Sequence, residues 1–484
     1  MLKSTLLALA LLLAASGEAQ PHKAHQACPG HQRRDSSEEG HLVTTALNAW
    51  MNGELVGTWT VDRATHSFVY DASWLRSPKV RSLSLSLPIT ASREVRGDAV
   101  ANYFDNLLPD NDRIRERLSR RFKTKRADAF SLLEAIGRDC VGAVQLLPEG
   151  TTPTDWSRVD CEPLDEGQIA EILRAVPADV GPGSLRQPDD DLFRISIAGA
   201  QEKTAFTQAG GRWCRPRGAT PTTHIFKLPL GLVGGSRRVN LSDSVQNEWV
   251  CAQIISELGL PVAPTTVATF GDQTVLVVER FDRAWMDDGA WIARLPQEDF
   301  CQALGFSPKQ KYEHDGGPGM AKCLQLLTGS ADPQQDTLAF QLTQLAFWLM
   351  AATDGHAKNY SIFLQPGDTY VMTPLYDILS MWPYFGKGPN QYNRRHAGLA
   401  MAMRSKNVHY RFDTIHTRHW HRLAMKNGGP GIWDAMVGLV EQVKPSLEAV
   451  EARLPKDFHG RSWDAISKGM MAEAERFLAG VEGL

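Results

Sequence analysis

The segment "MAATDGHAKNYSIFL" (350–364) places Asp354, His356, Lys358 and Asn359 within six residues, between two apolar runs. Polar groups packed that densely beside apolar sequence need partners or a task. A carboxylate and a carboxamide at this spacing can turn their oxygens toward one point from a single short loop. There the carboxylate of Asp354 can accept a proton from an attacking hydroxyl while Asn359 holds a hard cation. Those are the two roles that phosphoryl transfer asks of a protein. Taken alone, D-x-x-x-x-N also fits an Asx turn that follows a helix, with Lys358 in solvent.

Three further stretches bear on that choice. Beyond "YSIFL" and the turn "QPGD" comes "LYDILS", which puts Asp377 where a second, metal-binding carboxylate belongs. The usual Asp-Phe-Gly is here Asp-Ile-Leu, and Asp377 also reads as a plain helix N-cap. Upstream, "THIFKLP" sets Lys227 in a strand of large apolar residues, with Glu248 available on the helix that follows. A strand lysine paired with such a glutamate holds phosphates, whereas a lysine on an edge strand would simply reach solvent. "VVERFDR" then ends a strand at Glu279, Arg280 and Phe281, as a hinge offering backbone groups to an adenine would.

The order of these elements calls for a phosphate-covering loop before Lys227, and "RISIAGAQEKTAF" (194–206) occupies that place. It is neither a Walker A loop nor a G-x-G-x-x-G fingerprint. Its small residues Ala198, Gly199 and Ala200 nevertheless let backbone N–H groups approach phosphate oxygens. Ser196 puts a hydroxyl just before them.

The elements that must position these residues are legible from periodicity. "ALNAWMNGELVGTWTV" reads as a hairpin turning at Asn52-Gly53, and the alternating "RSLSLSLPI" (81–89) as a half-buried strand. Residues 98–122 read as helix on both sides of Pro109, with Asp98 capping the first part. "LFRISIA", "KTAFTQ", "THIFKLP" and "PVAPTTVATFGDQTVLVVERF" read as strands, the last turning at Gly271-Asp272. "SVQNEWVCAQIISELGL" (244–260) reads as a helix between them. After about Arg283 the pattern is mainly helical, "TLAFQLTQLAFWLMAAT" (337–353) being the most apolar helix. "QPDDD" (187–191) is a plausible boundary.

Composition limits the reading further. Across 484 residues, 43% are apolar and 22% charged, and the net charge is −3. That excludes a disordered or fibrous chain and any global attraction to nucleic acid. Seven scattered cysteines with no C-x-x-C pair fit reduced thiols in a cytoplasmic protein. The start, "MLKSTLLALALLLAASGEAQ", has the form of a secretory signal and is followed by polar, aperiodic sequence. Export would serve no purpose for chemistry that needs cytosolic triphosphate. The reading favoured is therefore a misplaced start or a non-folding extension over 1–41.

Together, "FRISIAGAQEKTAF", "PTTHIFKLP", "VERFDR", "RLPQEDFCQ", "KYEHDGGPG", "ATDGHAKN" and "MTPLYDI" closely resemble the HipA family of bacterial serine/threonine kinase toxins. "LSLSLP", "FDNLLPD" and "IGRDCVGAVQLLPE" resemble that family's N-terminal region. The resemblance implies a two-lobed, kinase-like α+β fold using ATP and Mg2+. Asp354 would be the base, Asn359 and Asp377 the metal ligands, and Lys227 the phosphate-binding amine. Ala198, Gly199, Ala200, Gln201, Glu202 and Lys203 would form the nucleotide loop. Glu279 to Phe281 would be the hinge, with Gly355, His356 and Tyr376 beside the nucleotide. Ser196 would be an autophosphorylation site that switches the enzyme off.

The family's substrate is glutamate–tRNA ligase, whose phosphorylation stalls translation and leads to dormancy. Its partner is a helix-turn-helix antitoxin, HipB, that binds operator DNA with HipA as co-repressor. Arg394, Arg395, Arg404, Lys406 and Arg411 form a local basic patch that suits phosphate contacts or a solvated surface equally. The expected units are a HipA-type subdomain over 42–155, a nucleotide-binding region over 156–285 and a helical lobe over 286–484. Two rivals remain: a catalytically idle co-repressor, and a small-molecule kinase with a similar loop.

Overall fold

Asn52 and Gly53 take positive φ angles of 45° and 83°, the twist that a two-residue hairpin turn requires. They join β1 (Thr45–Met51) to β2 (Glu54–Asp62) in a computed structural model that describes residues 45–178, 196–199, 201–233, 238–456, 458 and 460–484. With β3 (Thr65–Tyr70), β4 (Glu94–Arg96) and β5 (Val144–Pro148) they form an antiparallel sheet in the order β4-β3-β2-β1-β5. Helices Asp98–Asp105 and Ala129–Ile136 pack on it around Trp59, Phe68 and Phe104. Asp98 is not the cap of its helix: Gly97 holds the N-cap position and Asp98 sits in the first turn, where its charge still suits the helix dipole.

Residues 81–89 form no strand; a lone bridge links Ser84 and Leu87. The alternation still buries Leu83 and Leu87, but the segment's hydrogen bonds go to side chains and to the C-terminal half instead of to a neighbouring strand. Ser82 N–H donates to Asp368 (2.5 Å) and Leu85 N–H to Glu298 (2.9 Å). The Ser86 hydroxyl donates to the Gln302 carbonyl (2.7 Å).

The second sheet comprises β6 (Cys161–Pro163), β7 (Lys203–Ala209), β8 (Arg212–Pro216) and β9 (His224–Lys227). After a short hairpin, β10 (Gly231–Val233) and β11 (Val239–Leu241), it adds β12 (Thr265–Phe270) and β13 (Gln273–Glu279). Its order is β12-β13-β9-β7-β8-β6. Lys227 therefore lies on a central strand, paired on both sides, and the edge-strand alternative fails. Helix Ser244–Glu257 packs on β12 and β13 and carries Glu248 inward. "LFRISIA" is not a strand where it is described: residues 196–198 are irregular, and Gly199 only bridges to Pro109.

The C-terminal half is built on helices Met320–Leu327, Pro333–Leu349, Thr417–Lys426, Pro430–Glu441, Val443–Glu451 and Gly460–Val481. Their shared core includes Trp348, Trp420 and Phe477. This half is mainly helical, as expected, with a three-stranded sheet (297–299, 361–364, 370–372) and a hairpin (398–404, 408–411) added to it. The six described cysteines are free thiols. Among the described residues no helix is long and apolar enough to cross a membrane. The 1–41 extension and the "QPDDD" boundary lie outside the described residues.

A buried ion cluster ties the parts together. Asp139, before β5, meets Arg283 (3.0 Å), Arg294 (3.1 Å) and Arg280 (3.3 Å), and Asp282 meets Arg280 (2.8 Å) and Arg283 (3.0 Å). Asp139 also accepts from Thr222 N–H (3.1 Å) and its hydroxyl (2.7 Å). Removing one member strands the others without solvent. Asp139→Ala is expected to cost about 3–5 kcal/mol of unfolding free energy, read from the urea denaturation midpoint.

Candidate functional site

Helix Pro333–Leu349 ends in a Schellman-type turn: Ala352 N–H donates to Phe347 O (2.8 Å), and Ala351 adopts a φ of 50°. Glycine usually holds that position. The turn throws the chain back over the core, and the segment from Asp354 to Asn359 follows at once. Asn359 Nδ2 donates to the Asp354 carbonyl (2.7 Å) and His356 N–H to the same oxygen (2.8 Å). Those bonds close the loop on itself and leave Asn359 Oδ1 without a donor among the described residues. Gly355 backs onto Phe347, where a Cβ would meet the ring at 2.4 Å. Lys358 is not solvated: it is buried and paired with Asp110 (2.9 Å).

Opposite this loop, Lys227 Nζ binds Asp377 Oδ1 at 2.8 Å and also binds Glu248. Burial opposes the Lys227 charge, but the two carboxylates outweigh it and hold the ammonium above its ordinary range. Burial pushes Glu248 up against the pull of Lys227. Asp377, its side chain 38% exposed, is held well below the carboxylate range by Lys227 and Lys203 despite its partial burial. Asp377 is not a helix N-cap. It takes a left-handed φ of 62°, a conformation that a non-glycine residue adopts at a cost.

Both groups face one solvent-open cleft. Ala198, Gly199, Gln201, Lys203, Lys227, His356, Tyr376 and the segment Glu279–Phe281 also line it, with Asp354, Asn359 and Asp377. Lys203 Nζ donates to Ala198 O (2.6 Å), and Gly199, at φ 112°, leaves it room: a Cβ there would lie 2.6 Å from that nitrogen. Burial and the neighbouring Lys227 push Lys203 down to about 8. Buried His356 is pushed down too, and its Nδ1 has no partner among the described residues. Tyr376 is fixed by Lys358 O (2.9 Å) and Ser361 (2.6 Å).

Some expected members stand apart. Gly355 and Glu202 do not line the cleft, and Glu202 instead pairs with Arg117. Ala200 lies outside the described residues. The Arg280 side chain belongs to the ion cluster, while the N–H groups of Glu279 and Arg280 donate to Pro264 (2.9 Å) and Thr223 (2.9 Å). Ser196 is fully buried, its hydroxyl donating to Leu107 O (2.8 Å). Of the basic patch, Arg394 pairs with Glu473 (2.5 Å) and Arg404 with Glu313.

Other cleft residues escaped the spacing argument. Asp110 bridges Lys311 (2.8 Å) and Lys358 (2.9 Å), and both lysines hold it far below the usual range despite burial. Asp110 sits in "FDNLLPD" and Lys311 in "KYEHDGGPG", stretches that hold charges but no short-range pattern.

The model of the HipA N-terminal domain matches residues 47–176, and that of the HipA-like C-terminal domain matches 195–454. The chain belongs to the HipA family. A kinase-named relative, Y4mE of Sinorhizobium fredii, is 34% identical over 73% of this chain and 81% of its own. The serine/threonine-protein kinase toxin HipA of Shewanella oneidensis is 27% identical over 70% of this chain and 76% of its own. HipA from the solved Shewanella oneidensis complex with HipB and operator DNA superposes with a TM-score of 0.73 at 22% identity. That match covers 90% of this chain and 98% of the other. The HipA fold is thus a two-lobed, kinase-like α+β fold in this chain as well.

Lys227→Met leaves two carboxylates facing each other without their cation. It is expected to destabilise the protein by about 3 kcal/mol or more in urea denaturation, and adding Glu248→Gln should restore part of that loss.

Proposed function

We propose that this HipA-family chain is an ATP- and Mg2+-dependent serine/threonine protein kinase and the toxin of a type II toxin–antitoxin system. One observation carries the reading. An ammonium (Lys227), two carboxylates (Asp354, Asp377) and a carboxamide (Asn359) from three separated stretches of sequence converge on a single cleft. A catalytically idle co-repressor has no chemical need for that set.

In this reading, 156–285 holds the nucleotide, 286–484 carries the catalytic loop and 42–155 is an added subdomain. The apolar walls at Ile225, Val278 and Phe281 would take the adenine. Phe281 would supply the hinge donor, since the N–H groups of Glu279 and Arg280 are engaged. Lys203 and Lys227 would receive the phosphates, with Lys227 exchanging part of its contact to Asp377 for phosphate oxygen. Asp377 and the undonated Oδ1 of Asn359 suit a hard cation that also takes phosphate ligands. When bound, Mg2+ would neutralise charge on the β- and γ-phosphates. Asp354 would accept the proton as the acceptor hydroxyl attacks phosphorus and ADP departs. Positioning and charge neutralisation do most of this work.

The proposed acceptor is glutamate–tRNA ligase, a choice supported by family membership and not by the cleft. A HipB-like antitoxin and, through it, operator DNA are the proposed partners. Arg395, Lys406 and Arg411 are the exposed patch residues with no carboxylate partner among the described residues. Ser196 is the proposed self-phosphorylation site; it must leave its buried seat against Leu107 to be modified. The added charge would then bar its return.

Protein incubated with γ-labelled ATP is expected to label itself at Ser196, and Asp354→Asn to lose at least about a hundredfold in rate. Wild-type protein that binds ATP and stays unlabelled would favour the co-repressor. A second test uses Lys203. Its depressed value means that the free protein loses this charge above about pH 8, whereas a bound triphosphate favours the ammonium. ATP binding should therefore take up a proton, and Kd should rise as pH climbs beyond 8. Calorimetry in buffers of different ionisation enthalpy measures the uptake, and Lys203→Met should abolish it.

A further inference from the structure

The segment Lys311–Gly319 has no part in the chemistry above, yet it is braced from several sides. Lys311 is tied to Asp110 (2.8 Å), and Glu313 accepts from Ala402 N–H (2.6 Å) while pairing with Arg404. Gly317 passes so close to Gln310 O that a Cβ would lie 1.7 Å from it. This brace aims one side chain at the catalytic loop: the Tyr312 hydroxyl donates to Asp354 Oδ1. Without that bond the carboxylate would be loosely held. It is 57% exposed, with His356 Nε2 at 3.9 Å, and Asn359 engages only the Asp354 main chain. The Tyr312 ring stands edge-on to buried His356 at 4.9 Å, and Lys311 lies 5.5 Å over its face.

We propose that Tyr312 is the positioning residue of the Asp354 base, its phenol fixing one carboxylate oxygen so that the other is presented to the acceptor hydroxyl. The inference rests on the kinase reading above. The proton of the acceptor hydroxyl passes to Asp354 as the new O–P bond forms and the bond from phosphorus to ADP breaks. Tyr312 keeps its own proton throughout. A carboxylate free to rotate spends most of its time misaligned, and small misplacements of a reacting group are costly.

The test uses the full chain and its initial rate of self-labelling as a function of ATP concentration. Tyr312→Phe is expected to lower the maximal rate about tenfold while the half-saturating ATP concentration changes by less than about twofold. On an Asp354→Asn background, Tyr312→Phe should remove nothing further from the residual rate. Glu313→Gln, which loosens the same brace without touching Asp354, gives the structural baseline that the Tyr312→Phe loss must exceed. An unchanged maximal rate overturns the proposal, and so does additivity with Asp354→Asn. A faster Tyr312→Phe enzyme also overturns it, since the phenol would then merely plug the acceptor's seat. Absence of labelling in the wild type overturns the kinase reading itself, an outcome distinct from all of these.

Discussion

A single buried ammonium organises the cleft. Lys227 sits on a fully paired central strand with Glu248 on one side and Asp377 on the other. A lysine there is tolerable only with counter-charges, so strand, helix and the loop after the catalytic segment must all meet at one point. The strained backbone of Asp377 follows from the same requirement. The carboxylate has to turn back toward the amine, and the surrounding fold compensates the local cost. The amine is thus a structural pin and, in a kinase, the natural host for phosphate.

A second link runs between domains. Asp110 enters the cleft from the N-terminal region and neutralises Lys311 and Lys358, while Asp110 N–H reaches Gly199 O (3.0 Å) and Ser196 rests on Leu107. One short stretch, 106–110, therefore touches both the small-residue loop and the catalytic loop. The N-terminal region is not a passive appendage; its geometry is felt on both walls of the cleft.

Much of this was legible in the sequence, and the reason differs by residue. Asp354, Asn359 and the Asn52-Gly53 turn depend on short-range spacing, which a sequence displays directly. Lys227 was conspicuous because a charge among large apolar residues contradicts its surroundings. Asp110, Lys311 and Tyr312 gave no such signal, since their partners lie far away along the chain and their neighbours are ordinarily polar. The 81–89 segment misled for the opposite reason. Its alternation reports which side chains are buried, but alternation cannot say whether backbone groups find a neighbouring strand or distant side chains. The alternative of a solvated Lys358 was open because lysine usually lies in solvent; only Asp110, far upstream, excludes it.

The cluster around Asp139 and Asp282 has a mechanical consequence. Hinges open cheaply when few contacts resist rotation, yet here the connector between the halves is welded by five dry ion pairs within 3.3 Å. Swinging the halves apart would tear charges from one another in a medium with no water to receive them. The frame behind the cleft is thereby held as one rigid piece.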